Sequence, residues 1–356
     1  MRNPFTSDRS TSDRSTSDRS PLSRRRLLGA SAAGLTTAAG LTAAALSQEP
    51  ARAEPDGTAP DGARSRTQRG RAPAGKSGIR LRWLGNNGWE IRIARPGAEP
   101  ATVLIDPWLT RFRTGTYTKE GADPQTPLTV DTGLIDRHRL TADQILVTHG
   151  HYDHLPDIPH LATTTGATVF GTESHTNLLR ALDAPEDQLS VVSGGEYLRF
   201  DGYTIRVLRS LHSMPGPRAQ VPFPGTRPGG PPPRPRVIAD LVEGGTLAYA
   251  VTSTATGFTV VDFGGSNYSA AELAGLAPDL VMVQPGGSTV HDYVPRLLAA
   301  LDHPRYVVPT HWDDFDLPLD RPAKDWGGLA DLEAAVRRAS PRARFVRLDH
   351  LETFTP

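Results

Sequence analysis

The chain has 356 residues, 39 Lys and Arg balanced by 39 Asp and Glu, and no cysteine. Without a thiol there can be no disulfide, no thiolate metal site and no lipid-modified cysteine, so any metal must be held by nitrogen and oxygen. Residues 1–78 carry thirteen Lys and Arg against seven Asp and Glu; the remainder is mildly acidic and has no basic cluster, which speaks against a nucleic-acid surface.

Residues 6–20 repeat Thr-Ser-Asp-Arg-Ser three times, a polar stretch that cannot bury a core. Ser23-Arg24-Arg25-Arg26-Leu27-Leu28 follows, and Leu27 to Leu46 carries no charge. A basic segment before a modest Ala/Gly/Thr/Leu run reads as an export signal, and the paired arginines resemble the twin-arginine form. Ala51-Arg52-Ala53 offers a cleavage site. An uncleaved anchor is the rival reading, because about twenty apolar residues span a bilayer; the Gly, Thr and Ala content favours cleavage. The expected organisation is a tail and signal over 1–53, a Gly/Pro/Ala-rich linker over 54–78 and one domain over 79–356. The protein would then meet the twin-arginine translocase and end in the envelope or outside the cell.

From Ile79 the chain alternates strand-like runs with turns. Ile79 to Leu84, Trp89 to Ile93 and Thr102 to Ile105 predict an antiparallel start. Gln144 to Thr148 and Ala167 to Phe170 predict buried strands, and Ser174 to Leu182 a helix. Tyr203 to Leu208, Val237 to Val242, Thr246 to Val251 and Phe258 to Val261 predict further strands. Leu280 to Val283 and Arg305 to Val308 bracket a helix over Tyr293 to Leu301, and Glu333 to Arg338 is a late helix. Two groups of strands, each with helices, predict a layered α/β fold. Pro215 to Arg236 breaks the rhythm with many Pro and Gly residues, and predicts a mobile cover just after His212.

The most informative stretch is Thr148-His149-Gly150-His151-Tyr152-Asp153-His154. It places three imidazoles and a carboxylate in six positions after a strand, a donor set suited to zinc or iron at an open site. Asp106 ends an earlier strand and is a candidate to accept a ligand N–H. His291 is a candidate substrate contact, and Trp312 either a pocket wall or packing. His138, His160, His175, His303 and His350 show no partner signature and read as surface or capping residues.

The H-x-H-x-D-H element resembles the metallo-β-lactamase superfamily. Leu81-Arg82-Trp83-Leu84-Gly85-Asn86-Asn87-Gly88-Trp89-Glu90 and Val103-Leu104-Ile105-Asp106-Pro107-Trp108 are similar to its branch of ascorbate-phosphate lactonase-like and N-acyl-phosphatidylethanolamine phospholipase D-like proteins. The resemblance implies a four-layer αββα sandwich. It implies one metal on His149, His151 and His212, and a second on Asp153, His154 and His311. Asp262 is the expected bridging carboxylate, although Val261 stands where the family has Gly, and Asp240 is a poorer candidate. The implied cofactor is two zinc ions, with iron or manganese as variants, and Asp153 as a group that also handles the proton. The implied activity is hydrolysis of an ester, lactone or phosphodiester in a small or lipid-like molecule. A di-iron redox protein and a non-catalytic binding protein on the same fold are the alternatives.

Overall fold

The computed structural model describes residues 77–356 except Ser288. The repeat tail, the expected export signal and nearly all of the expected linker lie outside the described residues. Among the described residues, no helix is long and apolar enough to cross a membrane.

Three antiparallel strands open the fold: β1 (Ile79–Trp83), β2 (Trp89–Arg95) and β3 (Ala98–Ile105). After α1 (Thr132–Arg137), β4 (Gln144–Leu146) joins β3 in parallel. Then come α2 (Ile158–Thr165), β5 (Thr168–Gly171), α3 (Glu173–Ala181) and β6 (Leu189–Val191). The second sheet begins with the hairpin β7 (Tyr197–Phe200) and β8 (Tyr203–Leu211), and continues through β9 (Leu247–Ser253), β10 (Thr259–Phe263) and β11 (Asn267–Tyr268). It ends with β12 (Leu280–Val283), α4 (Tyr293–Ala300), β13 (Tyr306–Pro309), α5 (Leu329–Ala339) and β14 (Arg344–Phe345). The last strand, β15 (Thr353–Phe354), returns to pair with β1. The sheets run β15-β1-β2-β3-β4-β5-β6 and β11-β8-β9-β10-β12-β13-β14, with β7 on β8.

The layers follow from the two-residue period of the strands. In the first sheet Ile79, Leu81 and Trp83, then Trp89, Ile91 and Ile93, point inward; in the second, Tyr203, Ile205, Val207, Tyr249, Val251 and Met282 meet them. The alternate residues point outward. Leu104, Ile145, Val147 and Val169 pack under α2 and α3, and Val261, Phe263, Val281 and Val283 pack under α4 and α5. Three apolar layers between four structural layers make the αββα sandwich. Trp312 belongs to the middle layer, fully buried and stacked on Trp83 at 5.0 Å, a pair worth ~0.5–1.5 kcal/mol beyond its buried area. It is packing, not a pocket wall.

One expected strand is absent. Val237 to Val242 forms a 3-10 turn at Ile238–Asp240 instead. The Asp240 carboxylate accepts the Arg236 and Val237 amides and turns the chain, while Ile238 and Leu241 bury their side chains beside α3. The apolar run serves packing, and the carboxylate capping the turn removes Asp240 as a ligand candidate.

Candidate metal centre

The chemistry-bearing residues gather where strands end. His149, His151, Asp153 and His154 lie in the loop after β4, Asp106 directly after β3, His212 directly after β8, and His311 just after β13. The turn between β1 and β2 adds Asn86 and Asn87, both fully buried. Close approach of the backbone explains the glycines. A Cβ on Gly150 would sit 2.4 Å from the Val242 carbonyl oxygen, and one on Gly265 2.6 Å from the Ser213 nitrogen. Neither site leaves room for a side chain, so the 149–154 loop and the loop after β10 can close around the rings.

Two groups of ligand atoms result, one from His149, His151 and His212, the other from His149, Asp153 and His154. His149 Nε2 lies 3.2 Å from His212 Nε2. Asp153 Oδ2 lies 3.3 Å from His154 Nε2 and 3.2 Å from His311 Nε2. The structure thus places His311 beside Asp153, although it belongs to neither group.

The other nitrogen of four rings is tied to an acceptor. His154 Nδ1 donates to Asp106 Oδ2 at 2.7 Å, His212 Nδ1 to the Ser213 carbonyl at 2.7 Å, and His151 Nε2 to the Phe223 carbonyl at 3.4 Å. His149 Nδ1 donates to Thr148 Oγ1 at 3.2 Å, and that hydroxyl donates onward to Asp106. These bonds fix the tautomers. They leave Nε2 of His149 and His212, and Nδ1 of His151, as lone-pair donors; Nε2 of His154 offers one only once a cation displaces its proton.

Charge divides the site in two. Burial, then the neighbouring rings, holds His149 well below the usual imidazole range; burial pushes His151 down to about 3, and His212 is lowered by burial as well. These three are neutral imidazoles, the ligating form. His154 behaves oppositely. Burial opposes its charge, but the Asp153 and Asp106 carboxylates outweigh burial and raise it to about 10. That half of the site seeks positive charge. His154 Nε2 is also buried without a hydrogen-bond partner, so neutral donors, a carboxylate and an orphaned nitrogen together fit a cation.

Asp106 is the hub behind the ligand atoms. It is fully buried and accepts the Thr148 amide at 2.8 Å, the Thr148 hydroxyl, His154 Nδ1 and Asn87 Nδ2 at 2.9 Å. Asn87 Nδ2 also donates to Asp262 Oδ2 at 3.0 Å, and Thr310 Oγ1 reaches Asn87 Oδ1 at 3.2 Å. Asn86 Nδ2 donates to the Asp153 carbonyl at 2.6 Å. Neither asparagine is singled out by sequence reasoning; a Gly-Asn-Asn-Gly turn reads as an ordinary hairpin until burial is known.

Asp262, the expected bridge, lies outside both groups. The pleat of β10 turns Val261 outward and Asp262 into the space between the sheets, where Asn87 holds one oxygen and the other has no partner. Burial, then the Asp106 charge, pushes its pKa well above the carboxylate range. His291 is also outside the site, with its side chain 87% exposed beside Asp292.

Two histidines that read as surface or capping residues are buried. His350 Nε2 lies 2.9 Å from Asp313 Oδ2, which also pairs with Arg111, and Asp313 Oδ1 accepts the Asn86 amide at 2.9 Å. Burial raises the Asp313 carboxyl, but Arg111 and His350 outweigh it and hold the group below the carboxylate range. His175 caps α3 by accepting the Thr172 amide at Nδ1 and donates Nε2–H to the Glu243 carbonyl at 3.1 Å.

The Pro/Gly-rich segment does reach the site, but it is strapped down. The Phe223 carbonyl accepts the Glu243 amide at 2.9 Å besides His151. Further on, the Arg227 carbonyl accepts Asn177 Nδ2, and the Gly229 amide donates to Glu173. Phe223 is thus tied to Glu243 and His151, and residues 227–229 to α3.

The family described as beta-lactamase superfamily domain matches residues 80–311. A UPF0173 metal-dependent hydrolase of Myxococcus xanthus is 26% identical over 274 residues, covering 76% of this chain and 83% of the relative. A UPF0173 metal-dependent hydrolase of Carboxydothermus hydrogenoformans is 28% identical over 217 residues, 60% of this chain and 78% of the relative. Igni18, a metallo hydrolase from Ignicoccus hospitalis, superposes with a TM-score of 0.48 at 19% identity, covering 78% of this chain and 97% of that one. The chain belongs to the beta-lactamase superfamily and is a metal-dependent hydrolase.

Proposed function

We propose that this enzyme uses two zinc ions to hydrolyse an ester, lactone or phosphodiester bond in a small or lipid-like substrate. One observation carries the reading: one ring nitrogen each of His149, His151, His154 and His212 turns toward the ligand groups, while the opposite nitrogen is held by an acceptor. His149, His151 and His212 would hold one ion, and Asp153, His154 and His311 the other. Asp262 would support Asn87 rather than bridge the ions. Bound metal supplies Lewis acidity and makes water nucleophilic near neutral pH.

The chain's own residues have distinct tasks. Asp106 orients His154 directly and His149 through Thr148, which makes both rings better donors. Asp153, held by Asn86, is the carboxylate placed to take up or pass a proton during bond cleavage. The Phe223 segment covers His151 and limits water on that side. A panel of esters, lactones and phosphodiesters offered to the zinc-loaded enzyme tests the reaction. Zinc-dependent turnover of one class supports the reading, and no turnover in any class contradicts it.

Export completes the proposal. The segment Ser23-Arg24-Arg25-Arg26-Leu27-Leu28 would direct the folded protein through the twin-arginine translocase, with cleavage after Ala53. Replacing Arg24 and Arg25 with lysine should hold the protein in the cytoplasm. Unchanged export of that variant would point to the general secretory route.

A further inference from the structure

The wall beside His311 is built from rings. Phe315 lies 5.7 Å from the His311 ring, centroid to centroid. Tyr117 packs edge-on to Phe315 at 4.8 Å, and Trp326 stacks on Tyr117 at 5.8 Å with only 9° between their planes. Trp326 Nε1 donates to the His311 carbonyl at 3.0 Å, which pins the indole to the ligand loop. The chain has five tryptophans. Trp83, Trp89, Trp108 and Trp312 are fully buried, whereas Trp326 is 36% exposed. An indole fixed by a hydrogen bond, backed by a parallel ring and still open to solvent has already lost its rotamer freedom. Such a surface binds a flat apolar group at low entropic cost.

Across the site, Phe223 sets its ring edge-on to Tyr152 at 5.8 Å and to His151 at 6.0 Å. The ligand groups therefore lie between two aromatic rims. A core brace would account for Phe315, which is 1% exposed, but core packing does not account for the exposure of Trp326.

We infer that the Tyr117–Trp326 stack is a substrate subsite that seats a planar apolar group, so that the substrates of this enzyme carry an aryl or similarly flat moiety next to the bond that is cleaved. The inference rests on the metal-dependent reading above and assigns specificity to two residues that bind no metal. The contrasting role is a brace, in which Trp326 serves only to hold the His311 loop through its Nε1–H.

Phenylphosphonate and methylphosphonate separate the two roles, because both offer the same anion to the metals and only one carries a ring. Their affinities for the full-length zinc-loaded protein would be measured by calorimetry, with tryptophan fluorescence in parallel. Phenylphosphonate should bind about five- to ten-fold more tightly, as expected for one added ring-on-ring contact, and should change the emission of the exposed indole. Trp326→Ala should abolish that preference and the emission change while keeping its zinc. Trp326→Phe keeps a ring but loses the bond to His311, so it should retain most of the preference. Equal affinities in the wild type, binding of neither phosphonate, or a preference untouched by Trp326→Ala would overturn the subsite. A Trp326→Phe protein that behaves like Trp326→Ala would assign the indole to the brace. Failure to load zinc at all would instead overturn the metal-dependent reading.

Discussion

His154 Nδ1 lies 2.7 Å from Asp106 Oδ2, and neither side chain is exposed to solvent. Because Asp106 also accepts from Thr148, and Thr148 from His149, one carboxylate orients two rings of the centre. The carboxylate is itself held by Asn87 in the adjacent β1–β2 turn of the same sheet. The geometry of the ligands is thus set one layer behind them.

Asp106→Asn should reveal that control. An amide turns an N–H toward donors that already point at this position, so at least one buried hydrogen bond is lost. Zinc affinity should fall about 10- to 100-fold and stability by about 1–3 kcal/mol. Competition with a chelator and urea melts of the apo protein measure the two effects separately. A variant with unchanged zinc affinity would remove Asp106 from the account.

Asp313→Asn tests the support beneath Asn86. Arg111 would remain buried without its counter-charge, which should cost about 3–5 kcal/mol. The folded-state pKa of Asp313 lies below its ordinary value, so its contribution is present above that value and is lost as pH falls through the folded one. The stability gap between wild type and variant should therefore be full at neutral pH and shrink below about pH 4. Urea melts across this range check the sign; a gap that grows on acidification would contradict it.

His175 should give a second acid response in a higher window. Burial lowers its pKa from 6.5 to about 4. The folded protein binds the proton less readily than the unfolded chain, so stability is fully present above 6.5 and is lost as pH falls toward 4. The difference amounts to roughly 3 kcal/mol at most. His175→Gln keeps an acceptor for the helix cap but cannot titrate, and should make the profile less steep across that window in the apo protein, where His149, His151 and His212 still respond to acid. An equally steep profile in the variant would assign the acid response elsewhere.

The sequence exposes what is local. His149, His151, Asp153 and His154 stand in one loop after one strand, and their spacing alone names a metal-binding chemistry. Strands such as Leu280–Val283 are continuous apolar runs and stand out for that reason. What depends on pairing over long distance is hidden. Asn86 matters because Asp313, 227 positions away, holds its amide. His350 matters because the chain end returns along β1 and brings it to Asp313. Asp262 is read from sequence as a strand-end ligand, while the pleat that turns it toward Asn87 appears only once the sheet register is known. Val237 to Val242 misleads because buried apolar residues in a turn share the composition of a strand.

The most direct measurement is metal content by elemental analysis of purified wild-type protein and of His151→Ala, each loaded with zinc and dialysed. Two groups of donors predict about two zinc ions per chain in the wild type. The variant should lose at least one ion and nearly all hydrolysis, yet unfold as cooperatively as the wild type, because the sandwich core contains none of the ligands. A wild-type protein that retains no transition metal, or a His151→Ala protein that retains two ions, would contradict the central claim.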